Sequence, residues 1–463
     1  ERERERERER ERGRERERGR ERERERGRER GREGGREGGR EKWREGERQR
    51  GRRAEVGFLG RMHAPLFSSS HHHPFCTTSS WCGVDFSELA TEDSHGLSPP
   101  FRASAAGPTI DALELLRSHG ASVFRMRLWY DPCADRRCVP ARFAYANLTN
   151  VLAMARRVSR ANLSFVLDLH YSDWWADPSH QMKPQAWKNL SAHALRRTVF
   201  RYTRSTVGAF VEQGTPPLAV QVGNEVSNGF LWEEPGQPCK QGGKLGLDCS
   251  ADIFNDSTAF DAFGKLFDAG ARGVRAACAT CLVAVHTDLG NRIAELGIAH
   301  LIDWHLNLQR KSSVEFDLVG LSLYARFLSA RPGRTASVLE NIRQLGHLAR
   351  KLPGKRIYLA ETAYPAGGAV KPCDRFPPTP QGQLDYLRAV IEALAAAIPE
   401  AQRGGVLWWE RNETGIESLF DQNYVARPAL LYGFKHGRKS RWGTRGAASE
   451  RGRKSRARAA GAL

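Results

Sequence analysis

The stretch PLAVQVGNEVSNGFLW, residues 217–232, joins an apolar run to a polar tip. LAVQVG has the continuous apolar character of a strand buried on both faces. It ends on Asn224 and Glu225, after which the chain turns polar. A single carboxylate at a strand tip is as readily a strand end reaching water as a catalytic acid. Neighbouring segments decide between these, because the same pattern recurs along the chain.

Seven further apolar runs resemble it, at 82–86, 122–129, 163–171, 281–288, 316–324, 356–362 and 404–410. Helix-like segments separate them. TIDALELLRSHG offers Thr109 as an N-cap and Gly120 as a stop. LTNVLAMARRVSRAN, AFDAFGKLFDAGARGVRAA, SVLENIRQLGHLARKL and QLDYLRAVIEALAAAI repeat apolar residues at helical spacing. Strands joined by helical crossovers run parallel. Eight such units predict an α/β fold, a (β/α)8 TIM barrel forming a single catalytic domain over 81–434, with its site where the strands end. An open doubly wound sheet is the alternative, but GVDFSELATEDSHG after the first strand is no glycine-rich phosphate loop.

The formal charge of +19 suggests a polyanion binder until its distribution is read. Residues 1–53 carry about +7 and residues 435–463 about +9, which leaves a nearly neutral middle. ERERERERERERGRERERGR has no hydrophobic period and nothing to bury, so residues 1–53 are expected to be a disordered tail. It reads as a translated simple repeat, a transient charged helix or a polyelectrolyte arm. The chain opens on Glu1, so its native start is not legible. Residues 54–80 read as a linker that includes the HHH at 71–73, and 435–463 as a second disordered basic tail.

No run of 18 or more apolar residues occurs, so no membrane helix is expected, and no signal peptide is visible. Secretion is suggested by nine cysteines, with Cys133/Cys138 and Cys239/Cys249 in loop-like stretches. Sequons at Asn147, Asn162, Asn189, Asn255 and Asn412 point the same way, although Asn162 sits at the start of a strand. Cys278 and Cys281 form a CxxC whose second cysteine opens a strand, which suits a buried thiol or half-cystine better than zinc. His95 reads as a loop histidine, and Trp129, Trp187 and Trp232 as packing residues.

The strand ends carry the chemistry. They present Arg125, Arg127 and Trp129; His170 through Trp175; Asn224 and Glu225; His286 and Asp288; Tyr324; Glu361 and Tyr364; and Trp408, Trp409 and Glu410. Burying so many polar groups without a use for them would cost free energy. Glu225 and Glu361 end the fourth and seventh strands, across the predicted mouth. Two facing carboxylates about 5–5.5 Å apart are what retaining glycoside hydrolysis needs, one protonated as acid and one ionised as nucleophile.

LHYSDWWADPSHQMKPQAW (169–187), VQVGNEVSNGFLW (220–232), FDLVGLSLY (316–324) and LAETAYP (359–365) resemble the glycoside hydrolase family 53 endo-β-1,4-galactanases. GVDFS (83–87) and FRMRLWYDP (124–132) match that family's first two strands, and the likeness runs from about Gly83 to Leu431. It implies an endo-acting, retaining hydrolysis of β-1,4-galactan side chains of pectin. Glu225 would be the acid/base and Glu361 the nucleophile. Asn224 would bond the sugar 2-hydroxyl, Tyr324 would hold Glu361, and Arg125 or Arg127 would lend positive charge. His170, Asp173, His286 and Asp288 would line the cleft, Trp409 would form its floor, and Asp85, Trp174 and Trp175 would shape neighbouring subsites.

The same likeness implies a secreted, disulfide-bearing glycoprotein acting as a monomer on a polysaccharide. No cofactor, metal, nucleic acid or membrane partner is expected. HTDLG (286–290), LWWERNE (407–413) and the long loop 233–256 depart from the family pattern, which bears on subsite number. Some bacterial members hold a structural calcium in a late loop, and no ligand cluster for one is read here. Other retaining barrel glycosidases, acting on mannan, xylan or β-glucan, are the first rival reading. Polyanion binding through the arginine-rich tails is the non-enzymatic one.

Overall fold

The computed structural model describes residues 76, 80–89, 100–132, 145–232, 254, 257–312, 316–328, 337–368, 375–410 and 415–434. Both charged tails, most of the 54–80 segment with its histidines, His95, and the Cys133/Cys138 and Cys239/Cys249 pairs lie outside them. So do nearly all of the 233–256 loop and the Asn255 and Asn412 sequons.

Eight parallel strands close into a barrel in sequence order. They are β1 (Trp81–Asp85), β2 (Val123–Leu128), β3 (Ser164–Leu169), β4 (Ala219–Val222), β5 (Leu282–Thr287), β6 (Leu318–Ser322), β7 (Arg356–Thr362) and β8 (Arg403–Trp409). The barrel closes where β1 pairs with β8, Gly83 opposite Leu407. Every expected strand is found within about three residues of its predicted bounds. The largest shortening is in β4, which stops at Val222 because Gly223 and Glu225 both take positive φ, 89° and 47°.

The crossovers are α1 (Ala112–Ser118), α2 (Leu148–Arg160), α3 (Ala192–Glu212), α4 (Ser257–Ala277), α5 (Ile298–Ser312), α6 (Val338–Lys351) and α7 (Pro380–Ala397). A π-helical turn, Ala429–Gly433, follows β8. The expected Thr109 cap is displaced to Asp111, whose carboxylate accepts the amides of Leu113 and Glu114. Asn147, Ser191 and Thr379 cap α2, α3 and α7 with their side chains. Asn147 therefore spends its side-chain oxygen on a helix end, whereas the sequon residues Asn162 and Asn189 are exposed.

Two apolar layers hold the barrel. The main one lies between strands and helices, built from residues such as Phe124, Leu167, Val220, Phe267 and Leu345. A smaller one fills the barrel itself with Trp81, Val123, Val166, Ala219, Ala284, Leu318, Tyr358, Ala360 and Leu407. Each face follows from the alternation of side chains along a strand. Gly320 is required here: a Cβ on it would stand 2.8 Å from the Tyr358 ring, which crosses the interior to donate its hydroxyl hydrogen to Gln221 at 3.0 Å. The buried Trp129, Trp187 and Trp232 are packing residues, as expected. Cys278 and Cys281 are joined in a disulfide, and Cys76 is bonded to Cys82 at the edge of β1, a pairing the spacing did not suggest.

Candidate active site

Above the apolar plug the inward positions turn polar. Period two along β1 to β6 sets Asp85, Arg125, Asp168, Gln221, His286 and Ser322 on the inner face, near the carboxyl ends of their strands. Arg125 is the hub and is fully buried. Its Nη1 donates to Asp85 at 2.5 Å and stands 3.0 Å from Glu361 Oε1. Its Nη2 donates to Asp168 at 2.9 Å and to Asn224 Oδ1 at 2.7 Å. Its Nε donates to Gln221 at 2.8 Å. Burial alone would disfavour this cation. The carboxylates of Asp168, Glu361 and Asp85 outweigh burial and keep it charged. Burial likewise works against ionising Asp168, yet Arg125 and His170 hold its carboxyl down at about 2.

The pair Glu225 and Glu361 differ in their surroundings. Glu361 is buried in β7, accepts the Tyr324 hydroxyl on Oε2 at 2.9 Å and has the Arg125 guanidinium on Oε1. Its pKa is raised: burial, with the charges of Asp85 and Asp168, outweighs the opposing pull of Arg125 and Tyr324, though less than at Glu225. Glu225 has no cation opposed to burial. Burial, the charge of Glu361 and that of Asp288 together raise it well above the usual carboxylate range. The two carboxyls are close enough to titrate as a pair, and of the two Glu225 keeps its proton longer. It does so on a left-handed backbone, a conformation that costs a non-glycine residue about 1 kcal/mol or more and is concentrated at functional sites.

Two histidines frame this pair. His170 Nδ1 accepts N–H bonds from Trp129 at 3.2 Å and from the Ala176 amide at 3.0 Å. That leaves Nε2 to carry the hydrogen and donate to Asp168 at 2.9 Å. His286 is fully buried, and burial followed by the Arg125 charge depress its pKa well below the ordinary value, so it is neutral. Its Nε2 lies 2.9 Å from Ser322 Oγ, and Ser322 in turn bonds Glu225. Asn224 is oriented from both ends, its oxygen accepting Arg125 and its amide donating to Ala176 O at 2.7 Å.

The remaining expected residues separate into groups. Trp174, Trp175 and Trp409 are half-buried, and Trp175 lies 6.0 Å from Trp409, ring centre to ring centre. Arg127 does not share the Arg125 position. It pairs with Glu88 and Tyr145 and lies under the Trp175 ring at 4.0 Å, so it supports the indoles and reaches neither carboxylate. Asp173 accepts the amides of Asp131 at 3.0 Å and Gln185 at 2.7 Å, so its carboxylate braces two loops where a cleft-lining role was expected. Asp288 accepts the Ser227 hydroxyl and borders a cleft with Glu225. Glu410 turns away to the Leu419 amide and Ser418 hydroxyl, and burial lifts its pKa to about 7. Tyr364 is packed against Tyr386.

Sequence reasoning passed over Asp168, Gln221, Ser322 and Tyr358. The first three stand at inward positions of SFVLDL, AVQV and LVGLS, so strict alternation would have found them. Among the described residues no group of three or more His, Cys, Asp or Glu side chains is arranged to hold a metal ion. A half-buried acid with a raised pKa beside a second, cation-held carboxylate can transfer a proton on one side of a bond and attack from the other.

Known proteins resemble this chain over its barrel. A family model described as glycosyl hydrolase family 53 matches residues 81–444. A probable arabinogalactan endo-β-1,4-galactanase A of Aspergillus terreus is 30% identical over 338 residues, 71% of this chain and 84% of that one. An endo-β-1,4-galactanase of Bacillus subtilis is 25% identical over 343 residues, 71% of this chain and 69% of that one. Among solved structures, the family 53 catalytic domain of Ignisphaera aggregans superposes with a TM-score of 0.62 at 25% identity, covering 78% of this chain and 99% of that one. The chain belongs to glycosyl hydrolase family 53.

Proposed function

We propose, from that membership, that the protein is an endo-β-1,4-galactanase that hydrolyses the (arabino)galactan side chains of pectin with retention at the anomeric carbon. The observation that carries the reading is the unequal environment of the two glutamates: Glu361 faces Arg125 and Tyr324, while Glu225 has burial and the charges of Glu361 and Asp288 opposed only by the neutral Ser322 hydroxyl. Glu361 is then the nucleophile and Glu225 the acid/base.

In the first step Glu361 attacks the anomeric carbon as Glu225 gives its proton to the departing glycosidic oxygen. A covalent galactosyl-enzyme forms, and the charge near Glu225 falls as Glu361 becomes an ester. In the second step Glu225, now ionised, takes a proton from water, which attacks the same carbon and releases Glu361. Arg125 and Tyr324 favour the ionised form of Glu361 and aim it. Asn224, with one amide hydrogen on Ala176 and the other available, donates to the sugar 2-hydroxyl. Trp409 supplies the floor, and Trp175 with Arg127 behind it extends that floor outward.

The chain works as a monomer outside the cell, between its charged flanks. Among the described residues no helix is long and apolar enough to cross a membrane. The test is reducing-end release from β-1,4-galactan by the full chain, with mannan, xylan and β-glucan beside it. Release from galactan alone, abolished in Glu361→Gln, is the expected result. Equal release from another polymer overturns the substrate assignment, and release that survives in Glu361→Gln overturns the role of Glu361.

A further inference from the structure

The middle of the chain is nearly neutral, yet its cations are not evenly spread. α3 reads AHALRRTVFRYTRSTVGAFVE, and its arginines at 196, 197, 201 and 204 face a single acid, Glu212. Arg197, Arg201 and Arg204 follow one another at helical spacing and share a stripe with Phe200. On α4, Lys265, Asp268, Ala269 and Arg272 form a second stripe at the same spacing. Gly273 lets the two helices approach closely, since a Cβ there would stand 2.7 Å from Thr203 Cβ and 2.8 Å from the Phe200 carbonyl oxygen. Between the stripes runs a groove of about 570 Å³. Arg196, Arg197, Arg201, Lys265 and Arg272 line it, over Phe200 and Ala269, and Asp268 is its only acid among the described residues. Asp268 is spent on Arg272 at 2.8 Å. The other four cations have no carboxylate partner among the described residues. Folding does not ask for this arrangement. Like charges four residues apart, such as Arg197 and Arg201, weaken a helix, and α3 is already anchored by the buried Leu195, Val199 and Phe210.

We propose that this groove binds the acidic backbone of pectin, a polymer of carboxylated sugars, while a galactan side chain attached to that backbone occupies the catalytic cleft. This rests on the galactan-cleaving reading above. A groove between two helices suits a single extended chain, and guanidinium groups take carboxylates in paired hydrogen bonds. Arg197 to Arg204 spans about 10 Å of helix axis, so successive uronate sugars each meet a cation. Phe200 and Ala269 give the C–H faces of those sugars an apolar bed between the charges. α3 and α4 each run back from the catalytic end of the barrel, which sets the groove on the flank beside that site. A backbone held there raises the local concentration of its own side chains at the cleft, with no new contact to Glu225 or Glu361. Nucleic acid carries the same sign of charge, but it is not joined to the substrate and gains no such advantage.

The experiment titrates the full chain with polygalacturonate at low ionic strength, where exposed charges are least screened. In the triple variant Arg197→Gln, Arg201→Gln, Lys265→Gln the Kd is expected to rise about tenfold. All three side chains are exposed, so turnover of backbone-free β-1,4-galactan should stay within about twofold of wild type, which also reports an intact fold. A control triple, Arg310→Gln, Arg350→Gln, Lys351→Gln, removes the same charge from exposed positions on α5 and α6 and should leave the Kd within about twofold. Both triples keep the basic flanks, whose contribution cancels in the comparison. On pectic galactan that retains its uronate backbone, kcat/KM relative to backbone-free galactan is expected to fall about threefold to tenfold in the groove triple alone. Equal weakening in the two triples overturns the proposal. So does single-stranded DNA that binds wild type more tightly than polygalacturonate and loses as much affinity in the groove triple. Wild type that binds polygalacturonate through the groove but leaves galactan intact overturns the substrate reading, while the titration still supports the groove.

Discussion

Tyr324 and Glu361 are joined by a single hydrogen bond of 2.9 Å that links the end of β6 to the end of β7 across a register shift in the sheet. The tyrosine is buried, and its own pKa is raised first by burial and then by the charge of Glu361, so it stays protonated and donates to the carboxylate. It holds Glu361 at one oxygen while Arg125 holds it at the other.

Tyr324→Phe removes that donor and leaves the ring. A hydrogen bond to a charged group contributes about 1.5–3 kcal/mol, so kcat/KM on galactan is expected to fall roughly 10- to 100-fold. The bond favours the ionised carboxylate, so its loss raises the Glu361 pKa and moves the acid limb of the pH–rate profile to higher pH. An acid limb that stays in place shows that Tyr324 does not tune Glu361.

Glu225→Ala removes the proton donor. Its effect depends on the leaving group: a sugar alkoxide needs the proton and a nitrophenolate does not. Hydrolysis of galactan is expected to fall about 10²- to 10⁴-fold, and that of an activated aryl galactobioside much less at the first step. Azide should restore turnover of the aryl substrate by forming the β-galactosyl azide. Equal losses on both substrates argue against Glu225 as the acid.

Ser322→Ala tests the link from His286 to Glu225. The Ser322 hydroxyl lies 2.9 Å from His286 Nε2, and its bond to Glu225 favours the carboxylate. Without it the Glu225 pKa rises further, and the basic limb of the profile moves to higher pH. The expected loss in kcat is about tenfold. A basic limb unmoved in this variant leaves Ser322 a packing residue.

Arg127→Lys keeps the positive charge beside Glu88 and loses the flat surface beneath Trp175. KM for galactan is expected to rise about threefold to tenfold, with both pH limbs unchanged. Arg125→Lys should move the acid limb instead, since Arg125 is the residue that faces Glu361. The contrast is read from paired pH profiles, and identical profiles for the two variants would contradict the separate positions of these arginines.

Glu410 makes a stability prediction. Its folded pKa is about 7, raised from 4.5 mainly by burial. A raised carboxyl is protonated in the folded state and ionised in the unfolded one between these two values, so its contribution is full below about pH 4.5 and is lost as pH rises to about 7. Denaturant unfolding of wild type and Glu410→Gln at pH 5 and pH 7.5 should show the difference between them shrink by about 2–3 kcal/mol at the higher pH. A pH-independent difference would falsify the buried, raised state of this carboxyl.

The barrel itself was legible because it is written in local periodicities. Continuous apolar runs separated by helical patterns give strand, crossover and parallel pairing, and eight of them give closure. Glu225 and Glu361 were legible for the same reason, as polar tips on apolar strands. Asp168, Gln221 and Ser322 were less visible because each sits inside a run whose apolar neighbours dominate the reading. The Thr109 cap was misplaced by two residues because Asp111 competes for the same amides.

What the amino-acid order determined by itself was the succession of elements and the set of side chains that reach one end of the barrel. What only the tertiary structure decided was their partnership. Arg125 and Arg127 alternate identically along β2, yet one meets Asp85, Asp168 and Glu361 while the other meets Glu88, Tyr145 and Trp175. Asp173 and Asp288 look alike as strand-end carboxylates, yet one is spent on loop amides and the other charges the cleft beside Glu225. The physical reason is that periodicity assigns a residue to a face, whereas partner, burial and protonation depend on groups brought within a few ångströms from strands as far apart in sequence as those of Arg125 and Glu361.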